Sequence, residues 1–388
     1  MLTEFKYHSL GKDEIRLLRL ATKTTKATSS NGHIDDNECG EDTPDQPLHC
    51  HLQNFGSQDR PKYVALSYAW GTQSSQNKIV MNDQVCSISL TVEQALRLLQ
   101  SEHMEIYVWV DQICINQRDD VEKSHQVGQM KLIYCEAAEV VVWLGPDAAD
   151  CTFLFRHLQE SLAAYTAKDF ETLFSLYSDE QRRSVISMAW RQFCERNYWT
   201  RLWVIQEYAV ASKIRVGVGA TIVSNLVTTH PLVLIRHIKT NNIDIPDRFQ
   251  HQKITDAITN MYRIPATSFM SSVVVRRQRY HYDRGEDFLF RVMVTALVLE
   301  SDYNHPLSTD PRDRVFALIH LADDAGDFKT FPDYGKSCEE IYTETAQIML
   351  EQGHFDLLSY CQFPKRLPNL PSWAPDWSME VRTRPPNN

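Results

Sequence analysis

The segment YWTRLWVIQEYAVA (198–211) sets one carboxylate, Glu207, inside a run of aromatic and aliphatic residues. At helical spacing Trp203 and Glu207 are four apart and share a face, with Tyr208 and Ala211 beside the acid. A carboxylate on such a surface has to be paired, protonated or used, because burying the bare charge is costly. Two readings follow. Either Glu207 pairs with an arginine such as Arg201 or marks the wet edge of its helix, or it serves chemistry at a site. Asp111 is a second acid of interest, since it closes the strand pattern EIYVWVD. Glu122, three residues after Asp119, reads instead as half of a helix cap.

These residues need elements to position them. KYVALSYAWG, EIYVWVD, EVVVWLGP and KIRVGVG are short apolar runs without alternation, separated by helical patterns. Such runs predict a parallel sheet covered on both faces. EIRLLRL precedes them as a first strand, LHCHLQ reads as a short strand, and KIVMNDQVCSIS reads as a hairpin turning at Asn82-Asp83. LTVEQALRLLQ carries Thr91 and Gln94 at capping-box spacing, and the stretch after Asp119 has a helical apolar period through Val127, Met130, Ile133 and Tyr134. The ligand crevice of such a sheet lies beyond the carboxyl ends of its strands. Here those ends carry Ser67, Tyr68, Trp70 and Gly71, then Asp111, Gln112 and Asn116, then Trp143, Gly145 and Pro146. Three strand ends thus bring polar and aromatic groups to one edge.

The chain divides into an N-terminal strand and polar loop (1–60), an α/β unit (61–219) with a helical insertion at 147–196, and a mostly helical C-terminal region (220–388). In the last, STDPRDRVFALIHLADD has Thr309 or Asp310 as cap, Pro311 at the first helical position and Asp313 in the first turn. That is a helix start and requires no chemistry. SCEEIYTETAQIMLEQG is a further amphipathic helix.

Composition narrows the function. The 388 residues are 43% hydrophobic with a net charge of -10, which argues against a general nucleic-acid binder. RRQRYHYDR (276–284) is locally basic and reads as a solvated surface or phosphate-facing loop. Nine cysteines without a C-x-x-C pair point to a reducing interior rather than a disulfide framework. HCH (49–51) has only Cys39 as a nearby helper and does not close a tetrahedral metal site. No phosphate-binding G-x-x-x-x-G-K, no H-E-x-x-H, no apolar run of membrane-spanning length and no secretion signal occurs, so a cytoplasmic location is expected.

YVALSYAWG, VWVDQICINQRDDVEKSHQVGQMKLIYCEAAEVVVWLGP and NYWTRLWVIQEYAVA occur in the order typical of fungal heterokaryon incompatibility (HET) domains, and the resemblance covers roughly 63–211. IRLLRL, DPRDRVFALIHLADD, FPDYGKSCEEIY and PSWAPDWS fit HET-domain proteins more loosely. The resemblance implies non-self recognition between fungal strains and programmed cell death. HET domains in turn resemble Toll/interleukin-1 receptor (TIR) domains, which implies a TIR-like, flavodoxin-like core. TIR enzymes that cleave NAD place their glutamate in a W-x-x-x-E helix, matched here by Trp203 and Glu207. Two departures are Val204, where the TIR tryptophan is usually followed by Cys, and the insertion at 147–196.

What the resemblance implies is a catalytic Glu207 with Asp111 as second acid. Ser67, Tyr68, Trp70, Gly71, Trp143, Gly145 and Trp203 would line a site for NAD as substrate, with no metal and no resident cofactor. The alternative it leaves open is a non-enzymatic signalling module that assembles with copies of itself or with an incompatibility partner protein. Either way Ser67, Trp70, Asp111, Gly145 and Glu207 are expected around one crevice, roofed by the helices of the insertion.

Overall fold

The computed structural model describes residues 5–20, 47–70, 76–102, 105–147, 151–265, 268–282, 287–299, 306–328 and 332–382. Gly71, and much of the polar stretch expected as a loop (21–46), lie outside the described residues. The strands are β1 (Ile15–Leu20), β2 (His49–Phe55), β3 (Val64–Tyr68), β4 (Gln76–Met81), β5 (Gln84–Ser89), β6 (Ile106–Trp109), β7 (Glu139–Trp143), β8 (Ile214–Val218) and β9 (Thr221–Ser224). The helices of the first half are α1 (Leu90–Glu102), α2 (Asp111–Cys114), α3 (Asp120–Glu136), α4 (Cys151–Thr166), α5 (Phe170–Ser175), α6 (Glu180–Cys194) and α7 (Val204–Val210). Those of the second half are α8 (Asn225–Lys239), α9 (His251–Met261), α10 (Met270–Tyr282), α11 (Leu289–Leu297), α12 (Asp313–Ile319) and α13 (Cys338–Glu351).

One nine-stranded sheet runs in the order β5-β4-β2-β1-β6-β3-β7-β8-β9. Its centre, β6-β3-β7-β8, is parallel, as expected for an α/β fold. The flanks are mixed. β1 is antiparallel to both β2 and β6, and β9 returns antiparallel on β8. Short connections explain two of the antiparallel pairs, because a two-residue turn can only reverse the chain. Asn82 and Asp83, both at positive φ, join β4 to β5. Gly219, at φ +56°, opens the turn from β8 to β9, a strand that the residue pattern after Gly219 did not disclose.

Every residue of β3 and β7 is buried, which is why both read as unbroken apolar runs. Strand alternation then sorts the two faces. Ser67 lies in register with Val142, and Tyr68 with Trp143. Trp143 packs with Leu98 of α1 around Gly217, whose bare Cα leaves room for the indole. The opposite face carries α3 and α7: the Tyr134 hydroxyl donates to Leu66 O at 3.1 Å, and Ser67 meets Glu207.

Four local expectations are corrected. The cap of α1 is Ser89, whose Oγ accepts the Val92 N–H at 3.3 Å, so the helix begins at Leu90, ahead of Thr91. Asp119 does cap α3, but Glu122 reaches away from it to form a two-pronged pair with buried Arg16 at 2.5 and 2.9 Å. RRQRYHY is helical rather than a solvated loop; Arg276 is buried and Arg277 bonds to backbone carbonyls, as described below. α12 begins at Asp313 rather than Pro311, with Asp310 accepting the Arg312 N–H at 3.0 Å in the turn before it, and Ser337 and Glu340 form a full capping box at the start of α13.

The insertion contains α4, α5 and α6, the last two capped by Asp169 and Asp179. These helices pack chiefly on one another and on α8 and α9, and α8 in turn lies on β8 and β9. The ends of the insertion meet the carboxyl edge of the sheet, where Arg196 donates to Leu144 O and Pro146 O just past β7 and Thr152 meets Thr221 just past β8. No helix among the described residues is long and apolar enough to cross a membrane.

Gly219 offers a test of the β8–β9 corner. A Cβ there would sit 2.7 Å from Asp147 Cβ, on a backbone that L side chains rarely adopt. Gly219→Ala is expected to destabilise the protein by about 1–3 kcal/mol. Gly326→Ala, where nothing lies within 4 Å, should change stability little. Urea midpoints of the two variants check the contrast.

Candidate functional site

β3 delivers Ser67 to the sheet face on which α7 lies, and α7 delivers Glu207. The Ser67 hydroxyl donates to Glu207 Oε2, and the Tyr198 hydroxyl, 2.9 Å from Ser67 Oγ, completes a chain of three groups. Tyr198 arrives on the 3₁₀ turn Asn197–Thr200, directly after the insertion. All three are buried, Glu207 at 1% exposure. Burial pushes the Glu207 carboxyl up to about 7; the charge of Asp111 adds to the rise, while Arg201 and the Ser67 hydroxyl oppose it. When Glu207 is ionised, the single Ser67 proton points to it and Tyr198 donates to Ser67. When Glu207 is protonated, its own O–H can donate instead, so the chain can run in either direction.

Asp111 forms the second half of the site. It follows β6, and its carboxylate accepts Tyr68 Oη–H at 2.8 Å, Trp70 Nε1–H at 2.9 Å and the Gln112 N–H at 2.7 Å. Its backbone carbonyl takes the Gln117 side-chain amide at 2.9 Å. Trp70 is 42% exposed, so this half reaches the surface. Arg201 links the halves: its guanidinium donates to Tyr68 O and lies 5.9 Å from the centre of a Trp70 ring. No ion pair joins Arg201 to Glu207 among the described residues; the arginine acts on the acid through its field.

The other residues singled out from the sequence sit apart from this pair. Trp143 is in register with Tyr68, on the sheet face opposite Ser67, and its ring packs with Leu98 around Gly217. Gly145, at φ +95°, lies near Arg196, which donates to Leu144 O and Pro146 O at 3.2 and 2.7 Å. Trp203 immediately precedes α7; its carbonyl accepts the Glu207 N–H at 3.1 Å, but its indole turns away and donates to Asp313.

Asp313 is the residue whose part was missed. It is buried and accepts Tyr334 Oη–H at 2.6 Å as well as the Trp203 indole. The DPRDR pattern is a sufficient helix start, and that explanation hid a second use for its last acid. The C-terminal region grips α7 at two further points. Leu307 accepts the Leu202 N–H at 3.0 Å. Arg277 donates to Tyr208 O at 3.0 Å and to Ala211 O, covering carbonyls that a helix end leaves unpaired. Its neighbour Arg276 is buried against Asp287 Oδ2 at 2.8 Å and Thr295 Oγ1 at 2.6 Å.

The raised carboxyl carries a stability signature. Unfolded, Glu207 ionises near its ordinary 4.5; folded, it does so near 7. Between these values the folded chain holds a proton that the unfolded chain has lost, so this group's contribution falls as pH rises and is lowest above 7. Glu207→Gln removes that dependence while still accepting from Ser67. Between pH 4.5 and 8 the stability difference should move in the variant's favour by roughly 3 kcal/mol. Buried His157 and His230 and half-buried His320, whose pKa values are lowered to about 4 by desolvation, are common to both proteins and cancel in the difference. Paired urea titrations read it, and a flat difference would remove the carboxyl's raised titration.

With this geometry in place, comparison with known proteins is informative. The family model described as Heterokaryon incompatibility protein (HET) matches residues 63–207. Heterokaryon incompatibility protein 6, OR allele, from Neurospora crassa is 26% identical over 388 residues, covering 86% of this chain. The chain spans 56% of that relative's length. No solved structure matches. The family match opens at Tyr63, one residue before β3, and closes on Glu207 itself, so it encloses both carboxylates, their hydroxyl partners and the parallel strands β3, β6 and β7. Residues 63–207 thus match the HET family model, and the similarity to the Neurospora protein extends over most of the chain.

Proposed function

We propose that the chain acts in the cytoplasm of a fungus in heterokaryon incompatibility, leading to programmed cell death, and that it does so by hydrolysing the nicotinamide–ribose bond of NAD at the carboxylate pair. The observation that carries this reading is Glu207, a desolvated carboxyl titrating near neutrality between hydroxyls and beside a second acid. Two acids in unlike surroundings can divide acid–base and charge-stabilising duties. Departure of nicotinamide leaves an oxocarbenium-like ribose, which a nearby carboxylate stabilises. Exposed Trp70, whose ring edge donates to Asp111, supplies a flat face for the nicotinamide ring. The W-x-x-x-E spacing of Trp203 and Glu207, which resembles that of TIR enzymes that cleave NAD, supports the same reading. The NAD must approach from the Trp70 side, where the site meets solvent.

A second reading rests on one specific observation. Glu207 is sealed from solvent and joins α7 to β3 and to the Asn197–Thr200 turn. In that reading the carboxyl is a fold element, and the chain works by assembling with a second copy or with an incompatibility partner protein.

Incubating purified protein with NAD and following nicotinamide release separates the two. Under the first reading the wild type turns over, and Glu207→Gln loses on the order of 10²–10³ in rate, as removal of one electrostatic stabiliser does. Asp111→Asn is expected to lose rate as well. Both variants should keep the wild-type circular dichroism. Absence of nicotinamide release by folded wild type across a range of protein concentrations would remove the enzymatic reading and leave assembly.

A further inference from the structure

A cleft of about 200 Å³ lies between α7, α10 and α11, behind the helix that carries Glu207. Ile205, Phe269, Val275 and Ala296 give it apolar walls. Arg276, Arg279 and Thr295 add a polar side. Arg276 is 5% exposed and held by Asp287 and Thr295, whereas Arg279 reaches the same Asp287 only at 3.5 Å and remains partly exposed. Two guanidinium groups therefore share one carboxylate. Arg291 adds a further positive charge near Arg276, and burial together with the neighbouring arginines lowers the Arg276 pKa against the opposing pull of Asp287. Positive charge at the rim of an apolar cleft is the arrangement that an amphiphilic anion relieves. The size limits the ligand: an apolar cavity of about 150 Å³ accepts benzene, so this one takes a single ring or short chain with one carboxylate.

The cleft is also wired to α7. Ile205 belongs to that helix and forms part of the wall. Arg277, on α10 between Arg276 and Arg279, covers the carbonyls at the helix's far end. We propose that this cleft binds a small amphiphilic carboxylate through Arg279 and the apolar wall, and that its occupancy tightens the α7–α10 contact and so steadies the helix bearing Glu207. The proposal is independent of the chemistry at Glu207.

Three probes test it on the full chain by calorimetry and ligand-observed NMR: benzoate, its neutral counterpart benzamide, and inorganic phosphate. Benzoate is expected to bind saturably at the roughly millimolar level that so few atoms allow. Benzamide lacks the charge and phosphate lacks the ring, so each should bind at least about tenfold more weakly. Arg279→Gln should weaken benzoate by about tenfold, and Ser272→Phe, which fills the cleft, should abolish its binding. With benzoate bound, backbone hydrogen exchange across α7 should slow. Equal binding of benzoate and benzamide, absence of saturable benzoate binding by the wild type, or unchanged benzoate affinity in a folded Ser272→Phe protein would overturn the site. Saturable binding with unaltered α7 exchange would overturn the coupling.

Discussion

The arrangement turns on a carboxyl taken out of water. Desolvation of Glu207 is the largest influence on its ionisation, and what opposes it is local: the Ser67 hydroxyl and the field of Arg201. Each of those helpers has to be placed by something larger. Ser67 is on the correct face only while β3 keeps its register with β7. Arg201 is held by the carbonyl of Tyr68, and Tyr68 also anchors Asp111. The buried acid is thus compatible with folding because a strand, a turn and a helix meet on it together.

The helix is the weakest of the three. α7 has seven residues, fewer than an isolated helix needs to persist in water. Its stability has to come from packing and from groups that satisfy its ends. Leu307, Asp313 and Arg277 provide these from the C-terminal region, beyond the range matched by the family model. The boundary read from sequence and the boundary of mechanical support therefore differ. Two more buried ion pairs, Arg16 with Glu122 and Arg276 with Asp287, tie distant segments in the same way. Such pairs add little net stability, but losing one partner leaves an uncompensated charge in the interior.

Much of this was legible in the residues, and what was not has physical causes. The central strands could be read because β3 and β7 are buried on both faces, which removes polar alternation. The Asn82-Asp83 turn could be read because few residue pairs tolerate positive φ twice. The meeting of Ser67 with Glu207 could be expected only at the level of strand ends, since the 140 positions between them hold an insertion whose length hides the distance. Trp143 shows the limit of strand-end reasoning. A shift of one residue in register moves a side chain to the other face, and register is fixed by neighbouring strands that a linear pattern does not display. Asp313 and Arg277 were explained too easily, one as a helix start and the other as surface charge. A local role that suffices does not exclude a distant one.

The clamp on α7 also has a meaning in time. A chain leaves the ribosome from its N-terminus, and its early segments begin to fold first. The strands that hold Ser67 and Asp111, and then α7 itself, emerge while Arg277, Leu307 and Asp313 are still to be translated. Until those residues arrive, the short helix lacks its end partners, and Glu207 has no settled place against β3. A polypeptide abandoned earlier would hold Asp111 and Glu207 without the groups that cover the ends of α7.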